Sequence, residues 1–395
     1  MRILLGSESY YPNVDGGAVA ERALAKGQSA LGHKVAIIAP SFKGMVNYSE
    51  QDGPTTIFRP KAVNFPLYKE YNATVFPYKY IESVANRFKP DVIHIHNPYP
   101  IGYGLIKWAK RNNIPVVGSN HLMPENFFMT VRKFYFLYKP LKTLGWKFIT
   151  RFYNRCDAVV SPSKTAIRLL KEGGLRRPGY ALSNGVDLSR FRPGVDGNYL
   201  KKIYGINPVD PIILYSGRLG GEKSLDVLIR AFAIIAKKMK VSLVMSGSGP
   251  DAMTLKNLAS SLGLAKRVHF VGFVPDNDFP NFYGMGDLFA IPSTAELQSI
   301  VTLEALASGL PVVAADSNAL PELVKKGRNG FLHKPFDHAE MAVYIERILR
   351  DKILRKKMGE ESRKIVAPHD YPQAHKAFEV LYRRVIEFRK RQSQK

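Results

Sequence analysis

Apolar residues along this chain fall in short runs, each followed by a loop and then by a longer stretch with helical spacing. The first run, Arg2-Ile3-Leu4-Leu5, predicts a strand. A loop ending in Asp15-Gly16-Gly17 follows, then an amphipathic helix from about Ala18 to Leu31, which Gly32 closes before a strand at 35–39. That succession is a βαβ unit. Apolar strands recur at 92–95, 116–117 and 158–160 with helical patterns between them, so a parallel, doubly wound α/β sheet is predicted.

Asn184-Gly185-Val186-Asp187 is a turn signal that closes this set, and Phe191-Arg192-Pro193-Gly194 reads as a loop. A second series begins after it, with strands predicted at 212–217, 241–246, 268–271, 288–291 and 311–315. The expected architecture is two tandem Rossmann-like domains facing a central cleft, 1–184 and 185–367. The segment 368–395 reads as a basic helix with Ala377, Val380, Leu381, Val385 and Phe388 on one face, packing back on the first domain. Length agrees, since 395 residues exceed what one hydrophobic core usually serves.

Composition narrows the class. Cys156 is the only cysteine, which excludes an intrachain disulfide and a thiolate metal cluster and fits a reducing compartment. Its expected role is that of a small buried hydrophobe. No apolar run reaches the roughly 18 residues of a membrane span, and the opening Met1-Arg2-Ile3-Leu4-Leu5-Gly6 is too short for a signal peptide, so a cytoplasmic, non-spanning protein is expected. The formal net charge of +25 is unevenly spread: residues 1–184 carry 26 basic and 11 acidic side chains, 185–345 carry 17 and 15, and 346–395 carry 15 and 7. Basic surface at the two ends of the chain should attract a polyanion, nucleic acid or an anionic membrane. Nucleic acid is set aside, because no recognised binding module accompanies the charge.

The stretch Pro292-Ser293-Thr294-Ala295-Glu296-Leu297-Gln298-Ser299-Ile300-Val301-Thr302-Leu303-Glu304 places one carboxylate in a turn-rich loop and a second inside a short helix that Gly309 ends. A helix N-terminus offers free N–H groups and a positive dipole end to phosphate, and a flanking carboxylate accepts hydrogen bonds from sugar hydroxyls. A nucleotide sugar needs both.

Gly217-Arg218-Leu219 with Lys223, then Ser246-Gly247-Ser248-Gly249-Pro250, then Phe270-Val271-Gly272-Phe273-Val274, then the Glu296/Glu304 pair with Ala305-Leu306-Ala307-Ser308-Gly309-Leu310-Pro311, resemble the retaining glycosyltransferases of family 4, which have the GT-B fold. The likeness covers nearly the whole chain and is strongest from 212 to 332. It implies that Arg218 and Lys223 bind the donor diphosphate in place of a metal ion, that Glu304 holds the ribose hydroxyls, and that Glu296 meets the transferred sugar. It further implies that Gly247, Val274 and the backbone of Ser299, Ile300 and Val301 line the nucleotide-sugar site. In the first domain it implies that Gly16 and Gly17 approach the leaving phosphate and acceptor, and that His121 touches the donor sugar across the cleft. His94 and His96 are read as structural. Many relatives have glycine-rich sequence just after the first carboxylate, where this chain has Leu297-Gln298-Ser299-Ile300.

Two further features weigh on metals and membranes. Asp276-Asn277-Asp278 has the form of a cation-binding pair but follows Gly272-Phe273-Val274-Pro275, where a cap or turn is the expected role, so no metal cofactor is expected. From 132 to 155 the chain carries Arg132, Lys133, Lys139, Lys142, Lys147, Arg151 and Arg155 and no acid. Phe134, Leu137, Leu141, Leu144, Phe148 and Phe152 recur at helical spacing, with Trp146 among the added rings and Pro140 as an interruption. This composition suits a helix lying in an anionic membrane interface, and the alternative is a core helix with solvated cations.

The sequence thus leads to a metal-independent, retaining hexosyltransferase with a nucleotide-sugar donor, a UDP- or GDP-hexose, and a membrane-lipid acceptor, peripheral on the cytoplasmic face. The residues around Glu296 and His121 resemble the branch that glycosylates diacylglycerol, which implies α-glucosyl transfer from UDP-glucose. The alternatives are a GDP-mannose-dependent mannosyltransferase acting on phosphatidylinositol or a glycan, and a non-catalytic nucleotide- or anion-binding protein.

Overall fold

The computed structural model describes residues 1–13, 15–64, 72–125 and 135–394, with the side chains of 135–139 left aside. The chain forms two compact units. One is built from Met1–Pro124 and the described residues from 135 to 185 and from Tyr371 onward; the other is built from Glu125 and Val186–Asp370.

The strands of the first unit are β1 (Arg2–Gly6), β2 (Lys34–Ile38), β3 (Tyr48–Asp52), β4 (Thr55–Arg59), β5 (Ala62–Asn64), β6 (Asn72–Thr74), β7 (Val92–Ile95), β8 (Val116–Ser119), β9 (Ala158–Ser161) and β10 (Gly179–Ala181). Its helices are α1 (Gly16–Ala30), α2 (Tyr78–Phe88), α3 (Pro100–Arg111), α4 (Tyr135–Tyr153) and α5 (Lys164–Glu172). The main sheet runs β10-β9-β8-β7-β1-β2-β4-β3, parallel except for the β3/β4 pair at its edge, and β5 and β6 form a separate antiparallel pair. The 3.6-residue and 2-residue periods do not separate at 48–59, where the side chains alternate on a half-exposed hairpin, and the sequence reading placed no strand there.

Successive residues of β1 point to opposite faces of the sheet. Leu4 joins a core with Ile93, Leu105 and Phe152, while Ile3 and Leu5 join a second core with Leu24, Ala25 and residues of the last helix.

The second unit contains β11 (Ile212–Ser216), β12 (Ser242–Ser246), β13 (Val268–Gly272), β14 (Leu288–Ile291), β15 (Val312–Ala315) and β16 (Gly330–His333). Its helices are α6 (Asn198–Ile203), α7 (Leu225–Ala236), α8 (Ala252–Ser261), α9 (Phe279–Gly284), α10 (Ile300–Ala307), α11 (Leu320–Leu323), α12 (His338–Arg350) and α13 (Lys352–Val366). The sheet is parallel throughout, in the order β13-β12-β11-β14-β15-β16. Five of its six strands are near-continuous apolar runs read from the sequence, although β13 at the edge is only partly buried; β16, a short strand begun by Gly330, was not read as a strand.

The last helix, α14 (Tyr371–Ser393), belongs to the first unit. Phe378, Leu381, Tyr382 and Val385 enter the core behind Ile3 and Leu5. Each such burial is worth about 1.5–3 kcal/mol against exposure. Val380 and Phe388, read from sequence onto the same face as Leu381 and Val385, are instead exposed. At about 100° per residue the stripe through 378, 381, 382 and 385 leaves 380 on the opposite side, whereas 388 continues the stripe but is exposed one turn beyond the last buried residue, Val385.

Helix α4 divides its apolar residues in the same way. Trp146, Ile149, Phe152 and Tyr153 are buried, whereas Leu144 and Phe148 are 64% and 52% exposed. Trp146 was expected on a membrane-facing surface, and here it packs in the core beside Ile149 and Cys156. The predicted stripe through 141, 144, 148 and 152 therefore does not face one way, because the core takes the stripe through 146, 149 and 153. The helix runs through Pro140 without ending. Cys156 is buried as expected, and its thiol is pushed up by desolvation.

Candidate functional site

In a doubly wound sheet, ligands bind outside the carboxyl ends of the strands where the strand order reverses. In the second unit that point lies between β11 and β14, and the loops after these strands carry Arg218 with Lys223 and Glu296. In the first unit it lies between β1 and β7, and the segments that follow them carry Asp15 with the start of α1, Gly16-Gly17, and His96.

Backbone bonds stitch the second unit's loops together. Leu219 N donates to Ser248 O at 2.8 Å and Gly247 N to Gly272 O at 2.7 Å. Gly247 has φ +115°, and a Cβ there would stand 2.0 Å from the carbonyl of Gly217, so only glycine lets these two loops meet. Val274, expected to line the site, is buried in the core alongside Phe282 and Leu303.

Lys223 ends a 3-10 turn, Gly221–Lys223, and its Nζ stands 2.7 Å from Glu296 Oε1. Both side chains are largely covered, so each holds the other's charge in a poorly solvated place. Arg218 is about half exposed, with Nη1 3.9 Å from the buried carboxylate of Glu222. Tyr215 Oη donates to Arg218 O at 2.9 Å and fixes the backbone there.

Ser299 caps α10: its Oγ accepts from Thr302 N at 3.3 Å, leaving the first-turn N–H groups of Ile300 and Val301 without an intrahelical acceptor. One turn later Glu304 is buried, and its Oε2 accepts from Tyr283 Oη at 2.8 Å. Burial pushes the Glu304 carboxyl up to about 8, against the pull of that hydrogen bond and of Arg190. Arg190 in turn holds Asp276, with Nη2 2.9 Å from Oδ1, and Tyr199 Oη donates to Asp278 at 2.7 Å. The Asp276/Asp278 pair is therefore engaged by protein partners in a 3-10 turn, and neither carboxylate caps a helix by its side chain.

In the first unit, Gly16 and Gly17 form the first turn of α1; the sequence reading had set them in the loop before it. Asp15 Oδ1 accepts from Gly17 N at 2.9 Å and Ala18 N at 3.1 Å. A Cβ on Gly17 would lie 4.0 Å from that of His121, so the helix start and His121 are neighbours. His121 follows β8, and its Nε2 lies 3.4 Å from Nδ1 of His96. That same Nδ1 lies 3.3 Å from Oε1 of Glu21, on α1. Burial lowers His121 to about 4 and His96 well below the usual range, and raises Glu21 well above its own, so the neutral forms are favoured throughout.

Neither Glu21 nor Tyr283 was singled out in the sequence. Tyr283 reads there as one ring in an apolar run. The available signal for Glu21 is its spacing of three and four residues from Leu24 and Ala25, which puts a carboxylate on the face they mark as buried, one turn after Gly17.

Of the basic segment, Arg132 and Lys133 lie outside the described residues, and for Lys139 only the helical backbone is described. Lys147 and Arg151 are exposed on α4 and Lys142 is partly covered. Among the described residues no helix is long and apolar enough to cross a membrane.

The two units match known families in order. Residues 14–190 match glycosyltransferase family 4, and residues 198–365 match the glycosyl transferases group 1. The alpha-monoglucosyldiacylglycerol synthase of Streptococcus pneumoniae is 29% identical over 339 residues, 84% of this chain and 75% of that protein. A GDP-mannose-dependent alpha-mannosyltransferase of Corynebacterium glutamicum is 28% identical over 343 residues, 86% of this chain and 78% of that one. The fold is shared with the sucrose-phosphate synthase of Thermosynechococcus elongatus, with a TM-score of 0.81, 20% identity, and coverage of 98% of this chain and 100% of that one. With both units matched in sequence and the fold matched along its whole length, the chain belongs to the family 4 glycosyltransferases, is a hexosyltransferase, and has the GT-B fold.

Proposed function

We propose that the protein transfers a hexose, with retention and without a metal ion, from a nucleotide sugar to a membrane-lipid acceptor, and specifically an α-glucosyl group from UDP-glucose to diacylglycerol. The observation that carries the donor reading is the juxtaposition at the β11/β14 switch point of two cations, two buried carboxylates and the start of α10. Departure of the diphosphate builds negative charge, and Arg218, Lys223 and the N–H groups of Ile300 and Val301 supply fixed positive partners for it. Lys223 and Glu296 hold each other when no donor is bound; a diphosphate competes for Lys223 and leaves Glu296 to accept from a sugar hydroxyl. Glu304 takes the ribose hydroxyls, Gly247 and Val274 offer backbone to the nucleotide, and Gly16, Gly17 and His121 serve the sugar and acceptor. The leaving diphosphate helps to deprotonate the acceptor hydroxyl, with no covalent enzyme intermediate.

The lipid acceptor rests on two supports. One is the likeness to the pneumococcal diacylglycerol enzyme. The other is the exposed Leu144 and Phe148 beside Lys147 and Arg151 on α4, apolar side chains among cations that suit the interface of an anionic, cytoplasmic-face membrane. The corynebacterial relative favours a second reading, mannosyl transfer from GDP-mannose. A panel of UDP- and GDP-sugars assayed against diacylglycerol, phosphatidylinositol and soluble glycans decides between them. Glucosyl-diacylglycerol formed from UDP-glucose is the expected product, mannolipid from GDP-mannose supports the second reading, and nucleotide binding without turnover of any donor would leave a non-catalytic protein.

A further inference from the structure

The loop between β14 and α10 carries Glu296, and a second loop, between β15 and α11, holds it. At the start of the first loop Ser293 Oγ donates to Glu222 O at 3.4 Å, and at its end Ser299 caps α10. Between those fixed points three bonds arrive from residues 317–319. Ser317 Oγ donates to Thr294 O at 3.3 Å, Asn318 Nδ2 donates to the same oxygen, and Ala319 N donates to Glu296 O at 3.3 Å. A carbonyl oxygen has two lone pairs, so both of those on Thr294 are engaged. The second loop is itself fixed to its sheet: Asp316 N donates to His333 O of β16 at 2.8 Å, and Ala319 and Leu320 are buried.

Asn318 has φ +47°, in the left-handed region. Glycine enters that region without steric cost, and asparagine is among the few side chains enriched there. A bend that needed only its backbone angle would be served at least as well by glycine. What asparagine adds is an amide that can donate, and here the amide is aimed at Thr294 O.

The anchor lies two residues from Glu296, whose Oε1 stands 2.7 Å from Lys223 Nζ. A displacement of about 1 Å in a group that orients a reacting molecule can lower its rate about 100-fold. Glu304 and Gly247 lie on other segments, bonded to Tyr283 Oη and Gly272 O, so they keep their places when this loop shifts.

We propose that Asn318 is a positioning residue for sugar transfer: by donating to Thr294 O from a left-handed backbone it fixes the loop that carries Glu296, and with it the alignment of the transferred hexose. This rests on the reading of Glu296 as the carboxylate that meets that sugar.

The test compares three variants, each checked for folding by thermal unfolding. Asn318→Gly keeps the backbone angle and loses the amide. Asn318→Asp keeps the size and the tolerance of that angle but sets an acceptor against Thr294 O. Ser317→Ala with Asn318→Gly removes both side-chain donors. In Asn318→Gly, kcat for transfer from UDP-glucose to diacylglycerol should fall about tenfold, and further in the other two, while the calorimetric Kd for UDP stays within about twofold. In protein without donor, amide hydrogen exchange at Ala295 and Glu296 should quicken in Asn318→Gly, with Leu303 and Glu304 unchanged. Wild-type kcat and exchange in Asn318→Gly and Asn318→Asp overturn the proposal, because the backbone angle would then be all that matters. A loss of UDP affinity equal to the loss of kcat overturns it as well, since the whole site would have collapsed. Unchanged turnover in Glu296→Gln, or a wild type that does not use UDP-glucose, would instead fail the reading of the donor site, and the exchange measurement separates that failure from a failure of the anchor.

Discussion

The switch points of the two units solve the same problem in opposite ways. In the second unit each cation stands beside a carboxylate: Lys223 has Glu296 at 2.7 Å, and Arg218 has Glu222 at 3.9 Å. In the first unit burial comes without a compensating cation, and Glu21, His96 and His121 are driven to their neutral forms. Glu304 stands between the two cases, buried in the second unit with a phenol as its close partner, and its carboxyl rises to about 8. Glu21, His96 and His121 are buried with no cation of the described residues beside them, and that absence is what lets desolvation drive them to their neutral forms.

The comparison breaks first at Lys223. Lys223→Ala removes a positive partner of the diphosphate and leaves Glu296 without its cation, so transfer should fall by about 10²–10³ in kcat. Near-wild-type turnover would show that the pair is merely structural. The next largest effect is expected for Trp146→Ser, which opens a cavity in the first core and should cost about 3–5 kcal/mol in denaturant unfolding. The double change Leu144→Ser with Phe148→Ser touches exposed positions, should leave stability within about 0.5 kcal/mol, and should weaken binding to anionic vesicles. Unchanged vesicle binding would remove α4 from the membrane reading.

Tyr283→Phe deletes the hydrogen bond to Glu304, and donor KM should rise about tenfold with kcat little changed. An unaffected KM would mean that packing alone orients the carboxylate. The pH dependence of stability sharpens the same point. A carboxyl raised from 4.5 to about 8 in the folded state contributes stability that is fully present below its unfolded value and is lost as pH rises through about 8. Relative to Glu304→Gln, the wild type should therefore lose several degrees of Tm between about pH 5 and about pH 9. A constant difference would mean that Glu304 stays ionised. The smallest effect belongs to His121: with its imidazole held at about 4, kcat should show no limb near pH 6.5 that His121→Ala abolishes.

Much of this was legible because the information is local. The parallel strands are apolar on both faces, the glycines mark loops where backbones touch, and the Arg218, Lys223, Glu296 and Glu304 positions fall on loops and a helix whose ends the sequence announces. The relations between side chains were not legible. Nothing in the spacing of Trp146, Leu144 and Phe148 says which stripe of α4 meets the core, because all three are apolar and only the neighbouring sheet chooses. Glu21 lies 75 residues from His96 and 100 from His121, so their meeting depends on β1, β7 and β8 lying side by side.

The sequence by itself determined most of the buried parallel strands, the two Rossmann-like units and the family, since these follow from periodicity, turn residues and motif order along one dimension. Only the tertiary structure decided which buried groups have a partner. Charge state depends on what stands within a few ångströms in space, and the sheet order, with β1 placed between β2 and β7 and β11 between β12 and β14, sets those distances.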